Sequence, residues 1–141
     1  MTLMKNKNTD IDEVLNARHF SSYMGVPVIK LPMGDSGMSL GVIFLGKDVK
    51  SRELLLHEYG HRLQLKNMGY FRYLFKIFIP SLTANILWRK GKLPYDYYSS
   101  PWEAEADALG GVVRTKNNAP WKECDTSYRS LLKLFKTKGA R

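Results

Sequence analysis

Apolar and polar positions change their spacing along the chain, and the changes predict short strands first and helices afterwards. The segment VPVIKLP, at 26–32, is rich in β-branched residues, and LGVIFLG, at 40–46, resumes a strand pattern. Between them, MGDSGMS supplies the glycines and the aspartate of a turn. Two strands that a short turn joins most simply form a hairpin, so we expect these two segments to pair. Upstream, Thr9 can cap a short helix that ends at about Phe20.

The longest helical signal comes next, at residues 51–68. Side chains suited to capping stand between Asp48 and Ser51, no proline interrupts the run, and Gly69 follows its end. The following segment, 70–88, is strongly apolar, but we expect its proline, Pro80, to break it. These signals predict one continuous helix and an interrupted apolar segment after it.

A further helix is marked by the order of its first residues. After the loop LPYDYYSSP, at 93–101, Ser100 can act as the cap, a proline stands in the first turn, and Glu103 follows the serine by three residues. Two glycines, Gly110 and Gly111, weaken the helix near its end. The pattern therefore predicts a second helix that carries several carboxylates.

Together these elements predict a single α+β domain over residues 1–141. A small β-sheet or hairpin would pack on the long helix and on the glutamate-containing helix, with flanking helices at the N-terminus and, over 126–135, at the C-terminus. A chain of 141 residues can bury a core of this kind without disulfides. Residues 1–8 and 137–141 are expected to be disordered.

Cysteine content and charge bear on where the protein works and on what it binds. Cys124 is the single cysteine, and the first thirty residues show no secretory signal, so we expect a cytoplasmic protein. The net charge of +9 favours anionic partners, but no recognised nucleic-acid-binding module is present, so we do not expect nucleic acid. The basic and aromatic segment 69–92 suits contact with a membrane surface. The alternative is that its apolar residues cover the neighbouring helix and its charges are solvated.

Candidate chemistry is concentrated in LLHEYGHRLQ, at 55–64, in the middle of the long helix. Residues four apart lie on one helix face, so His57 and His61 can present two ring nitrogens to one zinc ion at about 2.0–2.1 Å. Glu58 is rotated by about 100° from His57, which places it beside the metal as a candidate general base and acid. The alternative is a surface helix on which two histidines fall four apart by chance. The third histidine, His19, has charged neighbours and is expected at the surface.

A catalytic zinc ion needs a third protein ligand, and no further histidine follows at short spacing. Carboxylates are also dense in WEAEADALGG, at 102–111. Glu103 and Asp107 stand four apart there, so one can bind zinc while the other accepts a ring N–H of a ligand histidine. Glu105 points to the other side of the helix. Glu103 can alternatively close a capping box with Ser100.

Small residues in both helices favour the metal-binding interpretation over the capping box. Gly60 lies between the two histidines, although glycine in a helix interior costs about 1 kcal/mol relative to alanine. Alanines alternate with the acidic residues of the second helix, at Ala104, Ala106 and Ala108. These residues would let two helices approach closely enough to share an ion.

HEYGH followed downstream by EAEAD resembles the gluzincin clan of zinc metallopeptidases, in which HExxH on one helix is followed by ExxxD on a second. The clan includes thermolysin, the CAAX prenyl endopeptidases and the ImmA/IrrE-type proteases, and the single-domain minigluzincins are closest to this chain in length. The resemblance implies that His57, His61 and Glu103 bind one Zn²⁺ ion. It further implies an endopeptidase in which Glu58 is the general base and acid and Asp107 accepts a hydrogen bond from a ligand histidine.

The resemblance spans residues 40–112 and also concerns the substrate. It implies a peptide or protein in extended conformation that pairs with an edge strand of the sheet, expected at 40–46. Many gluzincins add a tyrosine or histidine that stabilises the oxyanion, and no motif identifies that residue here. Tyr95, Tyr97 and Tyr98 are candidates because they precede the glutamate helix, and their alternative role is packing in an aromatic loop.

A second interpretation of function belongs to a different class. The chain can be a non-catalytic or latent zinc-binding module, regulatory or interacting, without turnover. In that case the basic tail from Lys133 to Arg141 is a candidate to occupy the cleft. Measuring metal content and peptide hydrolysis on one preparation separates this interpretation from that of a peptidase.

Overall fold

The computed structural model describes residues 7–94, 96–113 and 132–133, and it has the α+β class that the sequence predicts. The strands are β1 (Phe20–Tyr23), β2 (Val26–Leu31), β3 (Gly37–Ser39) and β4 (Ile43–Gly46). The helices are α1 (Lys7–Asn16), α2 (Arg52–Met68), α3 (Tyr70–Tyr73), α4 (Ile79–Arg89) and α5 (Pro101–Gly110). A π-helical turn, Leu74–Phe78, joins α3 to α4, and a short 3₁₀ turn, Tyr97–Ser99, precedes α5.

The four strands form one mixed sheet in the order β1-β2-β4-β3. The expected hairpin between 26–32 and 40–46 is wrong, because β2 and β4 are neighbours but run parallel. The segment between them is not only a turn, since Gly37–Ser39 forms β3 and pairs antiparallel with β4. This extra reversal of the chain direction makes β4 parallel to β2.

Because of this pairing, the strand at the edge of the sheet is not the one that the sequence predicts. We expected 40–46 to be the edge strand, but β4 lies between β2 and β3 and is therefore central. The edge nearest α2 is β3, which is only three residues long and too polar to be recognised as a strand from the sequence. Among the described residues, β3 has no strand partner on its outer side.

The main core lies between the sheet, α1 and α2. Its fully buried apolar side chains come from all three parts and include Val14, Val28, Ile43, Leu45 and Leu55. Burial of a side chain of this size contributes about 1.5–3 kcal/mol, so the core fixes the position of α2 against the sheet. The N-terminal helix begins at Lys7, so Thr9 lies inside it rather than at its cap, and it ends at Asn16 because Phe20–Tyr23 pairs with β2 as a strand.

The predicted boundaries of α2 are confirmed. Ser51 is the N-cap, and its hydroxyl accepts a hydrogen bond from the Leu54 backbone N–H at 3.3 Å. Gly69 ends the helix with φ of 85°, a conformation that side-chain-bearing residues rarely adopt. The two histidines therefore lie in the middle of a helix that is held at both ends.

The apolar segment after α2 remains helical through Pro80, contrary to the expected break. Proline has no N–H to donate and clashes with the carbonyl four residues before it in an α-helix. The chain accommodates Pro80 with the π-helical turn, in which the Ile79 N–H donates to the Leu74 carbonyl, five residues back. The inner residues of the helical segment that follows α2, such as Tyr73 and Ile77, are buried against α2. Within the described ranges, no helix is long and apolar enough to span a bilayer.

Helices α2 and α5 cross in very close contact, as the small residues indicate. A methyl group at Gly60 would lie 1.8 Å from the Ala106 carbonyl oxygen, and one at Gly110 would lie 1.9 Å from the Leu56 carbonyl oxygen. Of the three alanines, Ala106 is buried at this crossing, whereas Ala104 and Ala108 are exposed. The crossing brings the middle of α5 against the histidines of α2.

Candidate metal centre

Helices α2 and α5 bring three potential metal ligands together in the interior. His57 Nε2 lies 3.1 Å from His61 Nε2, and Glu103 Oε2 lies 2.7 Å from the first and 2.9 Å from the second. All three side chains are buried, with Glu103 fully inaccessible. They form a compact group that could hold one metal ion.

The size of this triangle fits a small first-row metal. Zinc–ligand bonds of about 2.0–2.1 Å in a tetrahedral arrangement separate neighbouring ligand atoms by about 3.3 Å. The observed separations of 2.7, 2.9 and 3.1 Å are shorter than that value, so a bound zinc ion would need the three side chains to move apart by about half an ångström or less. Two imidazoles and one carboxylate also form the donor set of catalytic zinc sites.

The tautomer of His57 is set by Asp107, as the spacing of the acidic residues indicates. His57 Nδ1 lies 2.6 Å from Asp107 Oδ1, and an ionised carboxylate only accepts hydrogen bonds. His57 therefore donates its Nδ1–H, and when the ring is neutral its Nε2 lone pair faces the triangle.

Gln64 sets the tautomer of His61, a role that the sequence analysis did not identify. His61 Nδ1 lies 2.7 Å from Gln64 Oε1, while Gln64 Nε2 donates to the Trp102 carbonyl at 2.9 Å and to Glu105 Oε1 at 3.0 Å. Because both partners of Nε2 are acceptors, the amide cannot be reversed without losing both bonds. His61 must then donate Nδ1–H, and when the ring is neutral its Nε2 lone pair faces the triangle.

The second oxygen of Glu103 is held by two hydroxyl groups. Tyr97 donates to Glu103 Oε1 at 2.8 Å, and Ser81 Oγ contacts the same oxygen. The capping box is not formed, because the Ser100 side chain makes no capping hydrogen bond and Glu103 faces the histidines instead. Glu103 can therefore present Oε2 alone to a metal ion.

Without a metal ion, the buried charges stabilise one another. Burial lowers the pKa of His57, but hydrogen bonds to Asp107 and Glu103 and the charge of Glu103 raise it to about 10. Burial likewise lowers the pKa of His61, and the charge of Glu103 raises it to a value above the ordinary one. Burial raises the pKa of Glu103, but the charge of His61 and the hydrogen bonds to both histidines hold it well below its usual range. A metal ion would replace this protonated network with its own charge.

Glu58 lies beside the triangle, as the rotation along α2 predicts. Its side chain is buried, and among the described residues Oε2 has no hydrogen-bond partner. Burial raises the pKa of Glu58, although the charges of His61 and His57 oppose the shift. Strand β3 packs on this carboxylate, since a methyl group at Gly37 would lie 3.0 Å from Glu58 Cγ.

An open cavity of about 420 Å³ leads from the surface to these groups. His57, Glu58 and His61 form part of its lining, and β3 forms one wall. The opposite wall comes from α4 and the 3₁₀ turn and includes Leu82, Trp88 and Tyr98. The cavity therefore gives access to Glu58 between β3 and the wall that α4 and the 3₁₀ turn form.

The three tyrosine candidates have different positions. Tyr95 lies outside the described residues. Tyr97 is buried and lines the cavity, and it donates its hydroxyl to Glu103, so in this structure it supports a potential ligand. Tyr98 lines the cavity, and its ring packs edge-on against His57 with centroids 5.4 Å apart. Tyr73, which sequence analysis did not single out, also lines the cavity and donates to the Ser39 carbonyl at 2.8 Å.

The remaining candidates lie away from the triangle or outside the described part of the chain. Glu105 is exposed and contacts Gln64 but not the triad. His19 is exposed, as expected. Cys124, most of the predicted helix at 126–135 and the tail after Lys133 fall outside the described residues.

One reason explains why the sequence does not predict the roles of Ser81, Tyr73 and Gln64. Each acts through a contact that only the tertiary fold creates, and none belongs to a recognised spacing. The one usable signal is the position of Gln64, three residues after His61 on the same helix face.

Comparisons with models of protein families, with curated proteins and with solved structures gave no match for this chain.

Proposed function

We propose that the chain is a zinc-dependent endopeptidase. The observation that carries the proposal is a buried His57, His61 and Glu103 triangle, next to a carboxylate, Glu58, whose Oε2 has no partner among the described residues. An unpaired buried carboxylate is costly, and its position at the end of an open cavity suits a proton-transfer role.

The donor set favours zinc but also permits one other metal. Two histidines and one carboxylate bind catalytic zinc in peptidases, and a similar set binds iron in non-haem oxygenases. When bound, zinc would supply a Lewis acid that polarises the scissile carbonyl and acidifies water. The adjacent Glu58 favours hydrolysis, because that reaction needs a base at the attacking water and iron oxygenases do not require one.

Glu58 would move the protons of the reaction. Its carboxylate accepts a proton from the attacking water and delivers one to the leaving amine of the cleaved bond. With a metal ion bound, the fixed tautomers of His57 and His61 would leave no ring N–H inside the triangle, so these rings would hold the centre without exchanging protons with the substrate.

The edge strand β3 would align an extended peptide. The Gly46 N–H donates to the Ser36 carbonyl at 2.8 Å, so Ser36 directs its backbone towards β4. Successive residues of a strand alternate in direction, so the backbone N–H and C=O of Gly37 point to the open edge. Because Gly37 also packs on Glu58, a peptide paired there would lie beside the base.

Glu58→Gln tests the proposal, because it removes the base without removing a ligand. We expect unchanged folding and metal content and a loss of hydrolysis of about 10²–10⁴-fold. The matched control is Glu53→Gln, an exposed glutamate on the same helix, which should keep full activity. Elemental analysis for zinc and iron and hydrolysis of a broad peptide library should be measured on the same preparations.

The same assay distinguishes the two described tyrosines. Tyr98→Phe should lower kcat with unchanged metal content if its hydroxyl stabilises the oxyanion, because it touches the cavity. Tyr97→Phe should lower metal affinity instead, because its hydroxyl is bound to Glu103.

Absence of turnover in the metal-loaded chain leads to the second interpretation. A variant that ends before Lys133 then separates a latent enzyme from a non-catalytic module. Activity that appears on truncation and disappears with Glu58→Gln identifies a latent peptidase. No hydrolysis in either form refutes the peptidase proposal.

A further inference from the structure

Helix α3 and the π-helical turn expose an unusual set of side chains to solvent. Tyr70, Phe71 and Phe75 are 52%, 75% and 64% exposed, and Arg72 and Lys76 beside them are also exposed. Phe71 and Phe75 stand four residues apart and form one row, and Arg72 and Lys76 form the next. We call these five residues the aromatic-basic face.

The fold itself does not require this face. The packing of the segment is carried by its opposite side, where Tyr73 and Ile77 are buried in a cluster with Leu65. Phe71 and Phe75 have most of their surface in water and belong to none of the hydrophobic clusters of the described residues. Adjacent exposed aromatic residues of this kind mark interaction surfaces.

The charge around the face indicates which partner it suits. From Arg62 to Lys92 the sequence has seven basic residues and no acidic one. The whole chain carries a net charge of +9. A surface that combines this charge with phenylalanine rings is complementary to an anionic, partly apolar partner.

We propose that the aromatic-basic face docks on an anionic membrane surface. Phe71 and Phe75 would enter the boundary between headgroups and acyl chains, while Arg72 and Lys76 remain at the headgroups. The helix would lie in the plane of the membrane, which agrees with the lack of any spanning helix within the described ranges. Phenylalanine has no polar group to satisfy, so the apolar boundary suits it better than a wet protein or nucleic-acid interface does.

Docking in this way also orients the cleft. Residues Leu82 and Trp88 of α4, in the same helical segment, are 47% and 41% exposed and line the cavity. The cleft would therefore open near the membrane surface, and its substrates would be peptide segments presented there. This consequence rests on the proposed function, whereas the docking itself does not.

Vesicle binding by the full chain tests the docking. Sedimentation with vesicles of mixed phosphatidylglycerol and phosphatidylcholine should retain the protein, and vesicles of phosphatidylcholine alone should retain much less. Arg72→Gln with Lys76→Gln should weaken binding to the anionic vesicles roughly 30-fold, about fivefold for each charge. Phe71→Ala with Phe75→Ala should weaken it by about tenfold or more.

Two control variants match these changes in residue type and exposure. Phe20→Ala removes an exposed phenylalanine, 76% accessible, from β1. Lys47→Gln with Lys50→Gln removes two exposed charges from the loop before α2. Both controls should bind anionic vesicles almost as the unchanged chain does, apart from a small loss from net charge.

Several outcomes overturn the proposal. These are absence of binding by the unchanged chain, equal losses in the control variants, or a dimer that the Phe71 and Phe75 changes dissociate without any vesicle binding. If a variant fails to fold, hydrogen exchange of the unchanged chain provides the same test, because vesicles should protect 70–78 and leave 20–31 unchanged. Docking without peptide hydrolysis by either the full chain or the variant that ends before Lys133 would refute the proposed function alone, and hydrolysis without docking would refute this inference alone.

Discussion

The two imidazoles of the centre are oriented by acceptors of different charge. His57 donates to the carboxylate of Asp107, and His61 donates to the neutral amide of Gln64. A charged acceptor makes a ligand histidine more electron-donating than a neutral acceptor does. The asymmetry identifies His57 as the stronger of the two candidate ligands.

Removing either acceptor should weaken metal binding. Asp107→Ala and Gln64→Ala should each lower zinc affinity by about 10–100-fold, with the larger effect at Asp107, because each leaves a ring free to rotate. Glu105→Ala is the matched control and should change affinity little, since Gln64 keeps its bond to the Trp102 carbonyl. Competition with a chromophoric chelator gives these affinities. A larger effect for Glu105 than for Gln64 would contradict the assignment.

At the residue scale, the sequence predicts the site residues whose spacing along a helix places them on one face. His57, Glu58 and His61 follow from helix periodicity, and Glu103 and Asp107 follow from a second four-residue spacing. Ser81 stands on a different element from Glu103, and nothing in its surroundings in sequence links it to a carboxylate 22 positions away. The sequence does not predict the contact of Gln64 with His61, because glutamine is common on helices and no distinctive residues stand next to it.

At the scale of elements, the site depends on how closely α2 and α5 approach. The two glycines of the crossing, Gly60 and Gly110, each face a backbone carbonyl of the other helix. Backbone carbonyls cannot move aside as side chains do, so the separation of the helices is set by the absence of two methyl groups. The sequence predicts this contact at Gly60, whereas at Gly110 it predicts only a weakened helix end.

Gly60→Ala should therefore destabilise the protein, although alanine is the better helix former by about 1 kcal/mol. The new methyl group would lie 1.8 Å from the Ala106 carbonyl oxygen, which forces α5 and Glu103 away from the histidines. We expect a lower Tm and loss of metal binding. Ala104→Gly, at an exposed position of α5, should cost only about 1 kcal/mol and keep the metal. Normal metal content in Gly60→Ala would show that the helices can separate without harm.

Helices were predicted from the sequence more accurately than the sheet. Ser51 and Gly69 bound α2 through local capping, which depends on neighbouring residues only. The parallel pairing of β2 with β4 depends on the three residues of β3, whose pairing is stabilised by the completed sheet rather than by local propensity. The π-helical turn likewise arises from fitting Pro80 into a helix that tertiary packing maintains.

At the scale of the whole molecule, α2 joins the core to the candidate centre. Leu55 packs in the main core, and His57 begins the metal triangle two residues later. Anything that binds the folded state alone stabilises it, by about 2.7 kcal/mol at a hundredfold excess over Kd. Metal binding and global stability should therefore be strongly linked.

The link between metal binding and stability predicts that the free energy of unfolding depends on pH differently with and without metal. In chelator, protonated His57 stabilises the fold, fully below its ordinary pKa of 6.5, and this contribution is lost as pH rises through its folded pKa of about 10. With zinc, the rings bind the metal unprotonated, so stability should not fall over the same range. Thermal unfolding from pH 6.5 to 10, with zinc and with chelator, measures both responses. His57→Ala should reduce the decline in chelator, since the raised pKa of His61 contributes to it as well, and should remove the zinc effect.

The π-helical turn makes the length of one segment as important as its composition. Its five residues, Leu74–Phe78, hold one residue more than regular α-helical spacing would need. Deleting one of them would restore that spacing and rotate α4 by about 100° relative to α3, which would turn Ser81 away from Glu103. An insertion or deletion in this turn should therefore disturb the centre. The contact between Ser81 and Glu103 therefore depends on the number of residues between Gly69 and Ser81, and not only on which residues they are.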